Sequence, residues 1–259
     1  TNNLVTVLFL VICSIGIPLS GYSPSFLISG IVTRISRNSF LILSLLIPIM
    51  AGMGLNFGMV LGAMAGQIGL IFVTDWNIVG IPAMVLAIII SIPISILLGQ
   101  LCGRILNKAK GREMVTSYIL GFFMNGVYQL VVLYGMGSVI PIKNKALVLP
   151  RGYGIRNTVN LVGIRQSLDS IFNLSIFGIK IPLMTFIVIA LLCVFIVWFR
   201  KTKLGQDMRA VGQDMGVAAA AGIQVEHTRI VSIVISTVVA GIGMILYLQN
   251  IGTLNTYNS

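Results

Sequence analysis

The chain of 259 residues is strongly apolar: 57% of its residues are hydrophobic, only 9% are charged, and the mean hydropathy is +1.02. Soluble domains carry about 25% charged residues, and a water-exposed surface this apolar would aggregate, so the composition excludes a soluble globular protein. The 17 Lys and Arg outnumber the 6 Asp and Glu, giving +11. These basic residues lie between apolar runs, as the positive-inside rule predicts, and do not require nucleic acid as a partner.

Several apolar stretches approach the length of about 20 residues that a helix needs to cross a bilayer. We therefore predict an all-α, polytopic helical bundle, a single transmembrane domain with six or seven spans. The predicted spans are residues 4–19, 40–55, 57–73, 80–101, 115–140, 181–199 and 230–248. The apolar run from Phe40 to Val73 is too long for one crossing and short for two, so the topology of residues 21–73 stays open.

A ladder of glycines at four-residue intervals lies in the second and third predicted spans: Gly54, Gly58, Gly62 and Gly66. Lipid provides no hydrophobic drive between helices, so association depends on the close backbone approach that small side chains allow. The ladder predicts tight helix packing. The alternative is a broken or re-entrant segment of the kind that lines substrate sites, because glycine also permits unwinding.

Four amide side chains lie inside apolar runs: Asn56, Gln67, Asn125 and Gln129. The last two are four residues apart and share a helix face. Because an unpaired amide is costly in hydrocarbon, these side chains either bond between helices or line a path for an uncharged or weakly polar solute. No Asp, Glu, Lys or Arg lies well inside a predicted span, which argues against a proton-driven carrier and, more weakly, against a sodium-driven one.

Basic residues are concentrated in two short stretches, 104–112 and 200–209. Two predicted spans separate these stretches, so they share one side of the membrane, which the positive-inside rule makes cytoplasmic. Residues 141–180 then form an extracytoplasmic loop, and residues 200–228 form a cytoplasmic segment.

The cytoplasmic segment contains the signals of a short capped helix. Asp214 suits the N-cap and Gly222 the C′ position, which predicts about two turns over Met215–Ala221. The run of four alanines, Ala218–Ala221, presents a small, smooth face that suits docking into a groove of a partner protein. The alternative is a solvated connector between spans.

A set of motifs follows in the second half of the chain: Phe177–Gly178–Ile179–Lys180–Ile181–Pro182, Thr202, Gly205, Arg209–Ala210–Val211–Gly212 and Ala221–Gly222–Ile223. Through these motifs the chain resembles the permease subunits of ABC importers of the branched-chain amino acid and ribose (simple sugar, nucleoside) type. The match covers most of Phe40–Leu248 and is most specific between Phe177 and Ile223. The chain departs from the family at Lys180, Asp214, Met215 and Val217, where proline, asparagine, proline and alanine are usual. Residues 52–69 are similar to the family's second and third helices. Chains of the family continue beyond the point that matches Ser259, so we expect an incomplete C-terminus.

The resemblance implies a type II-like importer permease that forms the translocation pathway and hydrolyses no ATP, and the chain contains no G-x-x-x-x-G-K-[ST] motif. Two ATP-binding subunits would carry ATP and Mg²⁺ and grip a coupling helix, here Gln213–Gly222. The residues expected at that contact are Gly212, Gln213, Asp214, Ala218, Ala221, Gly222 and Ile223. We call residues 200–228 the coupling segment.

The other implied partners are a second permease copy or paralogue, and an extracytoplasmic substrate-binding protein that docks on outer loops including 140–180. The expected location is the bacterial inner membrane, in contact with lipid. The expected substrate is a sugar, a nucleoside or a branched-chain amino acid. No catalytic residue, cofactor or metal is expected in this chain, since His227 stands alone and the three cysteines share no spacing. The open alternative is an ATP-independent carrier or channel for a small neutral solute.

Overall fold

The computed structural model describes residues 4–150, 152–170, 173–176 and 179–256. Phe177 and Gly178 of the family-like motif, and parts of the predicted loop 141–180, lie outside the described residues. The helices in the described part are α1 (Leu4–Leu19), α2 (Pro24–Ser44), α3 (Leu46–Met50), α4 (Met59–Asp75), α5 (Gly80–Lys108), α6 (Glu113–Leu130), α7 (Leu183–Phe199), α8 (Lys203–Gln213), α9 (Met215–Ala220) and α10 (Val225–Ile251). A π-helical turn, Val131–Gly135, continues α6.

Two small antiparallel sheets lie among the segments between and after these helices. Strand β1 (Thr158–Asn160) pairs with β4 (Thr253–Asn255), and β2 (Asn173–Ile176) pairs with β3 (Ile179–Pro182). Within the first sheet Val159 lies opposite Leu254, and both side chains are buried. This sheet therefore fastens the predicted extracytoplasmic loop to the end of α10.

The fold class is confirmed: the chain is a helical bundle with the proportions of a multi-pass membrane protein. Among the described residues, four helical stretches are long and apolar enough to cross a membrane, namely Pro24–Met50, Gly80–Lys108, Glu113–Gly135 and Val225–Ile251. Helices α7 and α8 meet that test only together, with a bend of 75° between them, and α1 and α4 are shorter apolar helices. Large apolar side chains such as Leu97, Phe123 and Leu191 are mostly exposed, as lipid-facing side chains should be.

Helices α4, α5 and α10 pack closely at the centre of the molecule. A Cβ added to Gly62 or Gly66 of α4 would collide with the backbone carbonyl oxygen of Thr237 or Gly241 in α10. Only residues without a side chain allow this approach. The Thr237 hydroxyl also donates to the carbonyl of Ser95 in α5, at 3.1 Å. We call these three helices the core.

The other two glycines of the predicted ladder do not belong to the same helix face. Gly58 is the N-cap residue of α4, and a Cβ added there would lie 2.7 Å from the sulfur of Cys102. Gly54, with φ +64°, has no atom within 4 Å of such a Cβ. Both glycines lie in an irregular stretch, residues 51–58, that separates α3 from α4. The four-residue spacing thus extends to glycines that precede the helix. Residues 51–58 are irregular, as the alternative interpretation of a broken segment predicted.

The structure also differs from the predicted spans 40–55 and 57–73. Helix α2 begins at Pro24, where the Ser23 hydroxyl accepts from the amide of Phe26, and helical structure runs to Met50 before residues 51–58 interrupt it. Hydropathy alone did not predict this start, because residues 33–39 are rich in polar and basic side chains. Several of these side chains bond to carbonyls of their own helix: Ser39, for example, donates to the carbonyl of Ile35 at 2.6 Å.

Candidate functional site

The coupling segment leaves the end of α7 through a sharp turn that threonine and glycine make possible. The Thr202 hydroxyl caps α8 by accepting from the amide of Gly205, at 3.2 Å. A Cβ at Gly205 would collide with the carbonyl oxygen of Phe199, so only glycine fits this turn. Helix α8 therefore departs at 75° from α7.

Helix α9 is capped at both ends. The Asp214 carboxylate accepts from the amides of Gly216 (2.7 Å) and Val217 (3.0 Å). At the other end Gly222, with φ +85°, reverses the chain, and the amide of Ile223 donates to the carbonyl of Ala218 at 3.0 Å. These are the N-cap and C′ arrangements that hold a short helix together. The helix ends at Ala220, one residue before the predicted end.

One face of α9 is exposed, but it is not the whole alanine run. Val217 is 67% exposed and Ala219, Ala220 and Ala221 are also exposed, whereas Ala218 is only 2% exposed. Ala218 was expected to contact a partner, and in this structure it is buried within its own chain. A run of identical small residues carries no amphipathic pattern, so the sequence could not distinguish its inner member from its outer ones. Gln213, Asp214 and Gly222 are exposed and Ile223 is half-buried.

The coupling segment touches the interruption between α3 and α4 through a contact between two glycines. A Cβ on Gly52, which has φ +74°, would lie 2.8 Å from the Cα of Gly212. A Cβ on Gly212 would collide with the carbonyl oxygen of Met50 and lie 3.0 Å from the amide nitrogen of Gly52. Gly212 therefore joins the end of α8 to the start of residues 51–58 backbone to backbone.

Of the amides predicted to line a path, two are buried beside this interruption and along α4. Asn56 lies within residues 51–58, where its Oδ1 accepts from the amide of Gly58 at 2.8 Å. Neither its Nδ2 nor the Oε1 of Gln67 in α4 has a hydrogen-bond partner among the described residues. The amide of Phe57 donates to the hydroxyl of Ser117 at 3.1 Å, which ties the same stretch to α6.

The structure brings the other two amides together. On α6 the Nε2 of Gln129 donates to the Oδ1 of Asn125, at 3.4 Å, and both residues are half-buried. They lie next to the face of α6 that packs inward through Ser117, Gly121 and Tyr128. The structure therefore places the four amides in two groups, one enclosed and one at the edge of the bundle.

Comparison with known proteins decides the family. The family of the branched-chain amino acid transport system / permease component matches residues 4–258. The chain belongs to this family. Because these are permease components of transport systems, the expectation of a transport subunit that is not an enzyme is confirmed at the level of the family. The family and the apolar helices also confirm a multi-pass protein of the inner membrane.

Relatives of this permease-family chain include the autoinducer 2 import system permease protein LsrD of two organisms. The protein from Photorhabdus luminescens is 26% identical over 210 residues, covering 80% of this chain and 55% of the relative. The protein from Escherichia coli (strain K12) is 28% identical over 183 residues, covering 71% of this chain and 48% of the relative. The chain thus spans about half the length of these relatives. No solved structure matches it.

The sequence analysis did not predict one buried ion pair. Arg229, in the first turns of α10, pairs through Nη2 with the carboxylate of Glu113, the first residue of α6; their side chains are 1% and 11% exposed. Both residues lie just outside the predicted spans 115–140 and 230–248. A single charged residue is common at such a position and predicts no particular contact. Opposite charges just before two predicted spans, at ends assigned to the same side of the membrane, were the available signal.

On the opposite side of the chain lies a cavity of about 360 Å³. Its walls include the end of α4 at Thr74, the turn before α5 at Asn77, and loop residues Asn144, Arg156 and Asn160. Buried Asp75 accepts from the amide of Asn144 at 2.8 Å and so fixes the loop against α4. Within the described residues no group of three or more His, Cys, Asp or Glu is placed to hold a metal ion.

Proposed function

We propose that the chain forms part of the translocation pathway of an ATP-driven importer and that α9 is the surface on which an ATP-binding subunit docks. The observation that carries this proposal is the geometry of the coupling segment. Helix α9 is capped at both ends and exposed on one face, and only Asp214 separates it from α8. The last turn of α8 contacts Met50 and Gly52, where the interruption at residues 51–58 begins. Movement imposed on α9 would therefore reach a broken segment in the membrane domain.

Stiffness is what such a contact requires. Switching a two-state pathway from 1:99 to 99:1 takes about 5.5 kcal/mol of differential interaction. A flexible connector would absorb that work in its own rearrangement. The two hydrogen bonds that the Asp214 carboxylate accepts from backbone amides, together with the turn at Gly222, hold α9 in one conformation. Its exposed alanines have no side-chain rotamers to lose on docking.

We place the path along the side of α6 that carries Asn125 and Gln129. The described part of the chain covers that side only partly: Asn125 and Gln129 are half-buried, and the neighbouring Tyr118 and Phe122 are largely exposed. A second permease, either a copy or a paralogue, would enclose it. The outer cavity and the loop around it would receive the external substrate-binding protein. ATP and Mg²⁺ would be held by the two ATP-binding subunits.

The proposed substrate is a small uncharged polar solute. Amides supply both donors and acceptors without charge, which suits hydroxyl and carbonyl groups. The name of these relatives makes autoinducer 2 the first solute to test, with a sugar, a nucleoside and a branched-chain amino acid beside it. Uptake by the full-length transporter in proteoliposomes should favour an uncharged member of this set over the zwitterionic amino acid. Uptake restricted to ionic solutes would contradict this assignment.

Docking on α9 is tested by placing a long charged side chain on its exposed face. We expect Ala220→Arg to reduce ATP-driven uptake at least about 10-fold, equivalent to about 1.4 kcal/mol, and to abolish co-purification of a vanadate-sensitive ATPase. Gln206→Arg adds the same group to an exposed position of α8 and is the matched control. Normal uptake by Ala220→Arg would refute the docking surface. Uptake that needs no ATPase would instead indicate an ATP-independent carrier.

A further inference from the structure

The buried guanidinium of Arg229 contacts two helices that are distant in sequence. Its Nη2 pairs with Glu113 at the start of α6, and its Nη1 lies 3.7 Å from the sulfur of Met215, the first residue of α9. We propose that the Arg229–Glu113 ion pair is the joint through which displacement of α9 moves α6. This inference rests on the proposed function, because it assumes that α9 is displaced by a docked ATP-binding subunit.

Stability alone does not account for a charge in this position. Arg229 is among the largest fully buried side chains of the described residues. Removing an arginine from water is costly, and an apolar pair of similar volume often packs at least as well, whereas a buried ion pair fixes one relative geometry. The two contacts use different nitrogens of one planar group, so shifting Met215 changes the position from which Nη2 donates to Glu113.

Helix α6 is suited to follow such a shift. It packs on the rest of the chain through a narrow face, and its base is held by the hydrogen bond from Phe57 to Ser117 and by the ion pair at Glu113. It also carries Asn125 and Gln129, which we place along the path. A change at its first residue would therefore reorient a helix that lines the pathway.

A second ion pair in the same region supplies a matched control. Lys110, in the turn before α6, lies 3.3 Å from Glu226 in the first turn of α10, and the two side chains are 49% and 71% exposed. This pair joins the same two parts of the chain, but neither member contacts α9 among the interactions described. Exposed pairs contribute little to stability or geometry.

The test measures movement of both helices relative to the core in the assembled transporter. Exposed Cys13 and Cys193 are replaced by serine, and spin labels are attached at Leu97 of α5 with either Gln206 of α8 or Phe123 of α6. Helix α8 adjoins α9, and Gln206 is outside the proposed docking face, so it reports displacement of the coupling segment without blocking the partner. Phe123 lies away from the Asn125 side of α6. Distances are recorded by pulsed electron paramagnetic resonance with and without AMP-PNP.

In the wild type we expect AMP-PNP to change both distances. In Glu113→Gln the change at Gln206 should remain, while the change at Phe123 falls at least about 5-fold, the lower end of typical coupling between sites. Glu226→Gln, which breaks only the exposed pair, should behave as the wild type. If Glu113→Gln fails to assemble, Met215→Ala provides the same readout, since it leaves the ion pair intact.

The outcomes separate the two proposals. An undiminished movement at Phe123 in both Glu113→Gln and Met215→Ala, with α9 still moving, would overturn the joint and leave the proposed function standing. A wild-type transporter in which AMP-PNP does not move α9 would overturn the proposed function, and the joint with it. A Glu113→Gln protein that is only less heat-stable, with both movements intact, would show that the pair serves stability alone and would also overturn the joint.

Discussion

The core and the parts around it are held together in different ways. In the core, α4, α5 and α10 meet through backbone, with Gly62 and Gly66 against carbonyl oxygens of α10. Helix α6 and the coupling segment bury shorter apolar faces, which include Leu120 and Met208, and add separate polar contacts and the glycine contact at Gly212. The backbone contacts leave no room between the core helices, whereas the surrounding parts are held by fewer contacts.

This difference indicates which elements can move during transport. Packed interiors resist small deformations and change by discrete steps where contacts are few. The core is then the fixed frame, and α6, α8 and α9 are the parts that shift against it. Three substitutions test this division, each aimed at one kind of contact.

The largest effect is expected in the core. Gly62→Leu would drive a side chain into the carbonyl of Thr237 and force α4 from α10, which should cost about 3 kcal/mol of stability, the upper range of overpacking. Gly126→Leu on α6 is the control, since nothing lies within 4 Å of a Cβ there, and it should stay within about 0.5 kcal/mol of the wild type. Thermal unfolding in detergent measures both, and equal losses would contradict the division.

An intermediate effect is expected where the coupling segment meets the interruption. Gly212→Val should separate α8 from Met50, so that ATP hydrolysis continues while uptake falls about 10-fold, about 1.4 kcal/mol of coupling. Gln206→Val places the same side chain on an exposed position of α8 and should transport normally. The number of solute molecules moved per ATP is the measurement. An unchanged ratio in Gly212→Val would rule out this contact as a link.

The smallest effect is expected at the cap of α9. Asp214→Ala removes the acceptor for two amides and should destabilise the helix by about 1 kcal/mol, whereas Asp214→Asn, which keeps an acceptor oxygen, should stay close to the wild type. Hydrogen exchange at Gly216 and Val217 reports the change directly. Equal exchange in the alanine and asparagine variants would mean that the carboxylate does not hold the helix.

Much of the helical architecture could be predicted, because apolar runs in a membrane protein have few alternatives to helix. The caps of α9 were equally readable, since Asp214 and Gly222 act on amides within their own turn. Helix caps of this kind depend only on residues that are close in the sequence. The start of α2 was not readable from hydropathy, because its polar side chains are satisfied only once the helix has formed.

Contacts between distant residues account for the rest. The ion pair joins residues 116 positions apart, and the contact of Gly52 with Gly212 depends on how two turns meet in space. Likewise, Gly54 and Gly58 keep the spacing of Gly62 and Gly66, although the helix starts only at Met59. The spacing therefore predicted one helix face, whereas the structure divides these glycines between the irregular stretch and the contact with α10. Sequence periodicity carries no information about where a helix stops unless a strong breaker marks the place.

Helix α10 is attached at both of its ends. At its C-terminal end Gly252 turns the chain at φ +79° into β4, which is bonded to β1 of the predicted extracytoplasmic loop. At its N-terminal end Glu226 and Arg229 pair with Lys110 and Glu113. Its 27 residues span about 40 Å at 1.5 Å per residue, without a proline or a break. In the proposed importer, a receptor at one membrane surface and nucleotide at the other would act on the two ends of a single unbroken helix.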